Sequence, residues 1–452
     1  MKNFIILLTL LTLLCNNVFA SDDYRLEYLN LNWWQKYNDE VLINYLTEAY
    51  KNNQDLKIAS IKVKQSEQIV KQQFAKQLPY LGFQGDVSRT FTASDVRFGE
   101  VLIKDYSQSN FMLPLTMSYE VDIWGENYLK TKAMKKQLEI SKQNERSAYI
   151  SLTSFVASQY FNLIKLDRLI ENQNELVKLQ SGLVNMSEVK YKNGLCNITD
   201  LMSEKQLLAD FQKVLNNYEN DRIVTARELG VLTGGREKDL SLMPRAKDIN
   251  LILIPESISA EAIKYRPDLL KSEAYIQKTG IDVKAARRDF LPKFLIYGNA
   301  GFNAYQLSNI FGSHTFLSNA GIMPSLDLFS GGFKMARLKF NKLELEKAQQ
   351  IYEKTILTSI QELNNSLSTA NTGNKNYTEC LKKYNLEKEK FALSDKKYNI
   401  GAKSKMDNIR AKELLLMAEN DEIASKTDYL ISTVNVYKAV GGKDVTTIND
   451  NL

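Results

Sequence analysis

The stretch FMLPLTMSYEVDI, residues 111–123, carries an apolar side chain at every odd position. Opposite them, from Thr116 to Asp122, the even positions are polar or charged. A period of two is typical of a β-strand with one apolar face, and this stretch is long enough to cross a bilayer as a tilted strand. Pro114 has no N–H to donate, so it predicts a bulge or a strand start at that point.

Weaker alternations predict three further strands, one before this stretch and two in the second half of the chain. The four predicted strands lie near 81–92, 111–124, 294–305 and 316–329, and mostly polar loops near 93–110 and 306–315 join each pair. An ordinary soluble β-meander fits the same pattern. If the strands lie in lipid, an open sheet leaves unpaired backbone groups at both edges, so other copies of the chain must close it.

Most of the remaining chain predicts helix. Residues 127–190 contain no proline, and apolar residues recur there in steps of three and four from Leu152 to Ile170. The same spacing returns between Ile356 and Ala370. One continuous helix over 127–190 would be roughly 95 Å long. Such a seam suits helices packed along their length, and a secreted coiled-coil scaffold or adhesin is the competing interpretation.

The chain is internally duplicated. YKNGLCNITD at 191–200 matches YNIGAKSKMD at 398–407 with an offset of 207 (398 − 191), and earlier residues match at 213. A period this long predicts two similar halves rather than a short repeat. We therefore expect a first repeat over 21–235, a linker over 236–256 and a second repeat over 257–452, each with two strands followed by long helices.

The first twenty residues predict a secretory signal peptide. Lys2 precedes an apolar run from Phe4 to Leu14, and small residues before Ser21 suit cleavage after Ala20. The run is too short to span a membrane as a helix. Cys15 as a lipid-acceptor cysteine is the alternative.

Composition argues against several classes of protein. Charged residues make up 25% of the chain and hydrophobic ones 44%, which excludes a multi-span helical membrane protein and a disordered chain. The net charge of +6 is small for 452 residues and argues against nucleic-acid binding. His314 is the only histidine, and it lies in a predicted loop between two strands. This argues against a Ser-His-Asp triad and excludes a multi-histidine metal site within one chain. We expect no enzyme activity, no cofactor and no metal.

Several short motifs, in one order along the chain, carry a resemblance to a known family. They are Trp33-Trp34, Asn52-Asn53, Asp122-Ile123-Trp124-Gly125, Ile254-Pro255, Arg266-Pro267-Asp268 and Asp327-Leu328-Phe329-Ser330-Gly331-Gly332. Together they resemble TolC-like outer-membrane efflux proteins, and within them the NodT-like outer-membrane factors of resistance-nodulation-division pumps.

The resemblance implies a mainly α fold with a small membrane β part. Duplicated helix-strand-strand-helix halves would form a homotrimer with a 12-stranded β-barrel and a long periplasmic α-helical barrel. The implied place is the outer membrane of a Gram-negative bacterium, with outer-membrane lipid, a periplasmic adaptor and an inner-membrane pump as partners. The implied role is passive efflux of small toxic compounds, including antibiotics; a duct for type I protein secretion is the alternative.

The resemblance also implies a periplasmic entrance gate at the two glycine turns. Asp200 resembles the acid that bonds to a tyrosine and a basic residue of the second copy, here Tyr398 and Lys403. Asp407 matches an acid that narrows the entrance. Arg410 stands where the best-known member has another acid, and a pairing of Asp407 with Arg410, within or between chains, is the alternative to a double acidic ring. The simpler interpretation is that the glycines end helices and both aspartates cap the next ones.

Overall fold

The computed structural model describes residues 28, 30–92, 96–98, 101–103, 106–235 and 249–444. The predicted signal peptide, Cys15 and most of the predicted linker lie outside these residues. The chain divides into two compact units that do not coincide with the two repeats. One unit comprises residues 1–57, 146–266 and 359–452, and the other comprises 58–145 and 267–358.

Helices make up most of the described chain. In chain order they are α1 (Leu31–Gln35), α2 (Glu40–Asn52), α3 (Gln54–Ala75), α4 (Glu126–Lys192), α5 (Ile198–Leu232), α6 (Pro267–Arg288), α7 (Phe333–Asn399) and α8 (Lys405–Ala439). The long continuous helix predicted over 127–190 is confirmed as α4, with 67 residues, and α7 has the same length. Among the described helices, none combines the length and the apolar character that crossing a membrane requires.

Helix bounds reproduce the duplication seen in the sequence. Both ends of α7 follow those of α4 by 207 residues (333 − 126 and 399 − 192), and α8 follows α5 by the same number. Both ends of α6 follow those of α3 by 213 (267 − 54 and 288 − 75). Each copy therefore folds into the same succession of helices.

The strands are β1 (Tyr80–Phe83), β2 (Asp86–Thr92), β3 (Val96–Phe98), β4 (Val101–Ile103), β5 (Tyr106–Val121), β6 (Lys293–Ala304) and β7 (Phe316–Ser325). The main sheet is antiparallel, in the order β1-β5-β6-β7, and β2 also pairs with β5. Its register sets Leu115 opposite Ala300, and Ile296 opposite both Tyr119 and Ile322. The apolar series of the three strands thus share one face, as the alternation predicts.

Pro114 neither starts a strand nor marks a bulge, which corrects the sequence-based expectation. β5 runs through it, and the register against β1 and β2 is the same on both sides: Phe83 faces Leu115 and Asp86 faces Met112. Because proline lacks the ladder N–H, the partner strand is interrupted opposite it instead, between β1 and β2. Gly301 faces Pro114 on the other side.

Two segment expectations were also wrong in detail. The stretch 93–110 was expected to be a polar loop, but it contains the β3–β4 hairpin and the start of β5, because polar residues such as Gln108 join the ladder through backbone bonds that need no apolar side chain. β7 was expected to reach residue 329. It ends at Ser325, which pairs with Lys293, the first residue of its partner β6.

Each compact unit has its own core. In the first, Trp33, Trp34, Tyr37 and Tyr437 are fully buried, and the rings of Trp33 and Tyr437 stack at 5.4 Å between centroids. In the second, Leu129 and Ala133 of α4 pack with Ile281 and Ala285 of α6. The aromatic pair at 33–34 is thus a structural anchor, which accounts for its place in the sequence motif.

The close pairing of Pro114 with Gly301 leads to a prediction for the stability of the sheet. A Cβ on Gly301 would lie 2.3 Å from the carbonyl oxygen of Leu113, whereas one on Gly298 would meet nothing closer than 3.5 Å. Gly301→Ala should therefore destabilise the sheet by roughly 1–3 kcal/mol, and Gly298→Ala should be tolerated. Denaturation of the purified protein in urea checks this; equal stability of the two variants would contradict it.

Candidate functional site

The two repeated glycine turns have the same backbone structure. Gly194 follows α4 with φ of 70°, and Gly401 follows α7 with φ of 75°. The Leu195 N–H donates to the Lys190 carbonyl, and in the second copy Ala402 donates to Lys397, both at 2.8 Å. This is the Schellman arrangement, in which a residue in the left-handed region ends the helix, and it favours glycine there.

Asn197 and Ser404 are the N-cap residues of the helices that follow the turns, and each aspartate, three residues later, bonds back to its N-cap residue, so the simpler interpretation is correct in part. The carboxylate of Asp200 accepts from the Asn197 N–H at 3.2 Å. The Asp407 N–H donates to the hydroxyl of Ser404, and that hydroxyl donates to the Asp407 carboxylate at 2.6 Å. Negative charge at these positions also suits the positive end of the helix dipole.

The side chains inside the two turns differ. In the first turn the Cys196 thiol donates to the Ser187 carbonyl at 3.5 Å. At the matching position of the second, the Lys403 ammonium donates to the hydroxyl of Ser394 at 2.8 Å. That hydroxyl also bonds to Asn408, whose amide donates to the Asp395 carboxylate at 3.1 Å.

This polar network braces the second turn and has no counterpart in the first, where Leu201 stands at the position matching Asn408 (408 − 207). The sequence reasoning missed Ser394, Asp395 and Asn408. Of these three, only Ser394 could have been found from the sequence, because it matches Ser187 of the first copy in the duplicated pattern.

Within the chain, Arg410 pairs with Glu204 and not with Asp407; the pairing of Arg410 with Asp407 between chains stays a prediction. The Arg410 guanidinium donates to the Glu204 carboxylate at 2.6 Å, across from α8 to α5. From α4, the amide of Gln180 donates to the same carboxylate at 2.7 Å. Because Asp407 is engaged by Ser404 at its cap, Glu204 is the available acceptor. Neither Glu204 nor Gln180 was singled out from the sequence.

Glu413 completes this cluster on α8, one turn after Arg410. This residue is 6% exposed, and its Oε1 has no hydrogen-bond partner in the described part of the protein. Burial, and after it the neighbouring Glu204 carboxylate, raise the pKa of Glu413 to about 7. Nearer the first turn, the Lys205 ammonium lies 2.8 Å from Glu188 and lowers the pKa of that carboxyl.

All five residues predicted for the gate lie in the turns or at the adjoining helix ends, but they do not form the gate within one chain. Tyr398 is 36% exposed at the end of α7. The Asp200 carboxylate bonds within its own cap, and Lys403 bonds to Ser394. Within the residues that the structure describes, no group of histidine, cysteine and acidic side chains could hold a metal ion.

Comparison with known proteins places the chain in a family. The sequence profile described as outer membrane efflux protein matches residues 45–235 and 258–442, one match for each repeat and together most of the chain. This is the family resemblance carried by the sequence motifs.

Individual relatives agree with this match. TtgC of Pseudomonas putida, described as a probable efflux pump outer membrane protein, is 25% identical over 91% of this chain and 84% of its own. The pyoverdine export outer membrane protein OpmQ of Pseudomonas aeruginosa is 23% identical over 91% of this chain and 87% of its own. The crystal structure of the CmeC outer membrane channel of Campylobacter jejuni is 25% identical, with a TM-score of 0.82 over 93% of this chain and 90% of that one.

The duplicated helices, the antiparallel sheet and these matches lead to one conclusion: the chain belongs to the outer membrane efflux protein family and is an outer-membrane duct of a Gram-negative efflux pump.

Proposed function

We propose that three copies of this chain form the exit duct of a tripartite efflux pump, together with a periplasmic adaptor and an inner-membrane pump. The supporting observation is the open sheet. β1 and β2 lie along one edge and β7 along the other, and within the described chain no further strand pairs with either edge. In lipid each unpaired backbone group costs several kcal/mol, so the edges of neighbouring copies pair with each other.

Strand number supports a trimer. β1 and β2 occupy one position of the sheet, so each chain supplies four positions, and three chains supply twelve, within the range of closed membrane barrels. The side chains on the strands fit lipid or neighbouring copies better than water: Val87 is 72% exposed and Ile322 68% exposed in the single chain.

The cargo we propose is a class of small toxic compounds. Relatives of similar length carry names that refer to toluene, to pyoverdine and to cations. Because one architecture serves such different cargoes, selection belongs to the pump and the duct acts as a passive exit.

Deletion of the gene tests this function. Cells without the duct should become more susceptible to antibiotics, solvents or metal ions, and the wild-type gene on a plasmid should restore resistance. The measurement is the minimal inhibitory concentration over a panel of such compounds. Unchanged susceptibility together with the loss of particular secreted proteins would contradict efflux and support type I protein secretion instead.

We further propose that the glycine turns ring the periplasmic entrance and that Asp200 bonds there to Tyr398 and Lys403 of the second-copy turn in an assembled trimer. For this, Lys403 must leave Ser394, its partner in the single chain. Exposed contacts of this kind contribute about 0.5–1.5 kcal/mol each, enough to hold a closed state and weak enough to yield to a partner. Three copies of Asp407 near one axis would narrow the entrance and attract cations.

The double variant Tyr398→Phe, Lys403→Ser tests this gate. Without the phenol and the ammonium, Asp200 loses both partners, so single-channel conductance in a planar bilayer should rise. A matched control is Tyr384→Phe, Lys382→Ser, which alters the same residue types on α7 away from the turn, where Lys382 pairs with Glu379. Equal conductance of the two double variants would rule out the gate.

A further inference from the structure

Three helices meet close to the glycine turns at a polar cluster in which Gln180 and Glu413 are buried and the Arg410 side chain is 55% exposed. It consists of Gln180 on α4, Glu204 on α5, and Arg410 and Glu413 on α8. Gln180 is fully buried, and its amide holds Glu204 through both the side chain, at 2.7 Å, and the backbone carbonyl, at 2.9 Å. Arg410 reaches the other carboxylate oxygen at 2.6 Å. Glu204 on α5 thereby accepts hydrogen bonds from both α4 and α8.

An apolar cluster continues the same seam. Leu176, Phe211 and Leu416 pack together from the same three helices. Leu176 lies one turn from Gln180, and Leu416 lies one turn from Glu413. On each of α4 and α8, the polar cluster therefore lies on the side of this apolar cluster that is nearer the turns.

Charge in the cluster is unbalanced. It holds two carboxyl groups and one guanidinium, and the guanidinium is engaged with Glu204. The charged groups that act on Glu413 are Glu204 from α5 and Arg410 from its own helix, while α4 contributes the neutral Gln180. A second carboxylate, buried and without a hydrogen-bond partner for Oε1 among the described residues, is unfavourable unless it is protonated or gains a partner.

We infer that Glu413 is a proton-sensitive contact at the entrance: its ionisation places a second negative charge beside Glu204 and competes with Glu204 for Arg410, which loosens the contact between α5 and α8. Arg410 lies three residues before Glu413 on the same helix, within reach of its carboxylate. The inference rests on the proposed entrance at the turns, and it names residues outside the proposed Asp200–Tyr398–Lys403 gate.

The direction of the pH effect follows from linkage. The packed state raises the pKa of Glu413 from its ordinary value of 4.5 to about 7. The packed state thus binds the proton more tightly, and its extra stability is full below pH 4.5 and is lost as the pH rises through 7. The contact between α5 and α8 is therefore more stable at mildly acidic pH than at mildly alkaline pH.

Hydrogen exchange of the full chain in lipid nanodiscs tests this inference directly. After correction for intrinsic exchange, the opening of residues 402–416 should rise about tenfold between pH 6 and pH 8, the ratio expected for a group with these two pKa values. Glu413→Gln, which keeps the shape and removes the titration, should show no such rise. Glu379→Gln on α7, an exposed acid outside the cluster, should behave as wild type.

A second variant distinguishes the effect of Glu413 protonation from a general weakening of the contact between the helices. Arg410→Gln removes the link to Glu204 but keeps a titrating Glu413, so opening should increase at every pH while the pH response persists and moves to higher pH. A flat response in the wild type, or an unchanged response in Glu413→Gln, would overturn the inference.

Conductance measured on the same preparations separates this inference from the proposed function. Wild-type channels should open more often at pH 8 than at pH 6, and Glu413→Gln channels should not. Channels that conduct with no pH response in exchange would refute the inference about Glu413 alone. A protein that forms no channel would refute the proposed duct, and the exchange result would still decide whether Glu413 controls the contact.

Discussion

The pairing of β5 with β6 is the constraint on which the rest of the structure depends, because it joins the first repeat to the second by backbone hydrogen bonds. Eleven residue pairs, from Phe111↔Ala304 to Val121↔Phe294, form one antiparallel register. A slip by one residue would turn every apolar side chain of one strand to the opposite face. The two strands pack tightly where Pro114 faces Gly301, since a Cβ at Gly301 would clash with the backbone of Leu113 and Pro114. With the two repeats joined, the outer edges of the sheet remain for other copies.

The two copies share their backbone structure at the glycine turns but differ in their side-chain contacts there. Both turns use the same glycine geometry, and in both an aspartate bonds back to the N-cap residue of the next helix. In the first copy the turn is closed by Cys196 against a carbonyl, and in the second by Lys403 in a network of polar side chains. Arg410 then ties the second copy to Glu204 of the first. The matching positions in the other copy, Ser203 (410 − 207) and Ala411 (204 + 207), carry no charge, so this ion pair has no duplicate.

The sequence predicts the elements better than it predicts their contacts. Periodicity located the long helices and the strand at 111–123, and glycine followed by a capping aspartate located the turns, because these signals are local in the chain. The β3–β4 hairpin escaped because its strands are only three residues long. The contact of Arg410 with Glu204 joins residues 206 positions apart, and no spacing within one helix announces it. The burial of Glu413 is likewise a property of the packed helices.

Modification of Cys196 tests most directly the claim that the glycine turns form the entrance. This half-buried thiol lies within the first turn, and Cys380 lies within α7. In a Cys380→Ser variant, a bulky maleimide on Cys196 should strongly reduce single-channel conductance, because the adduct would stand at the opening. The same reagent on a Cys196→Ser variant should have no such effect. Full conductance after complete labelling of Cys196, verified by mass, would contradict the claim.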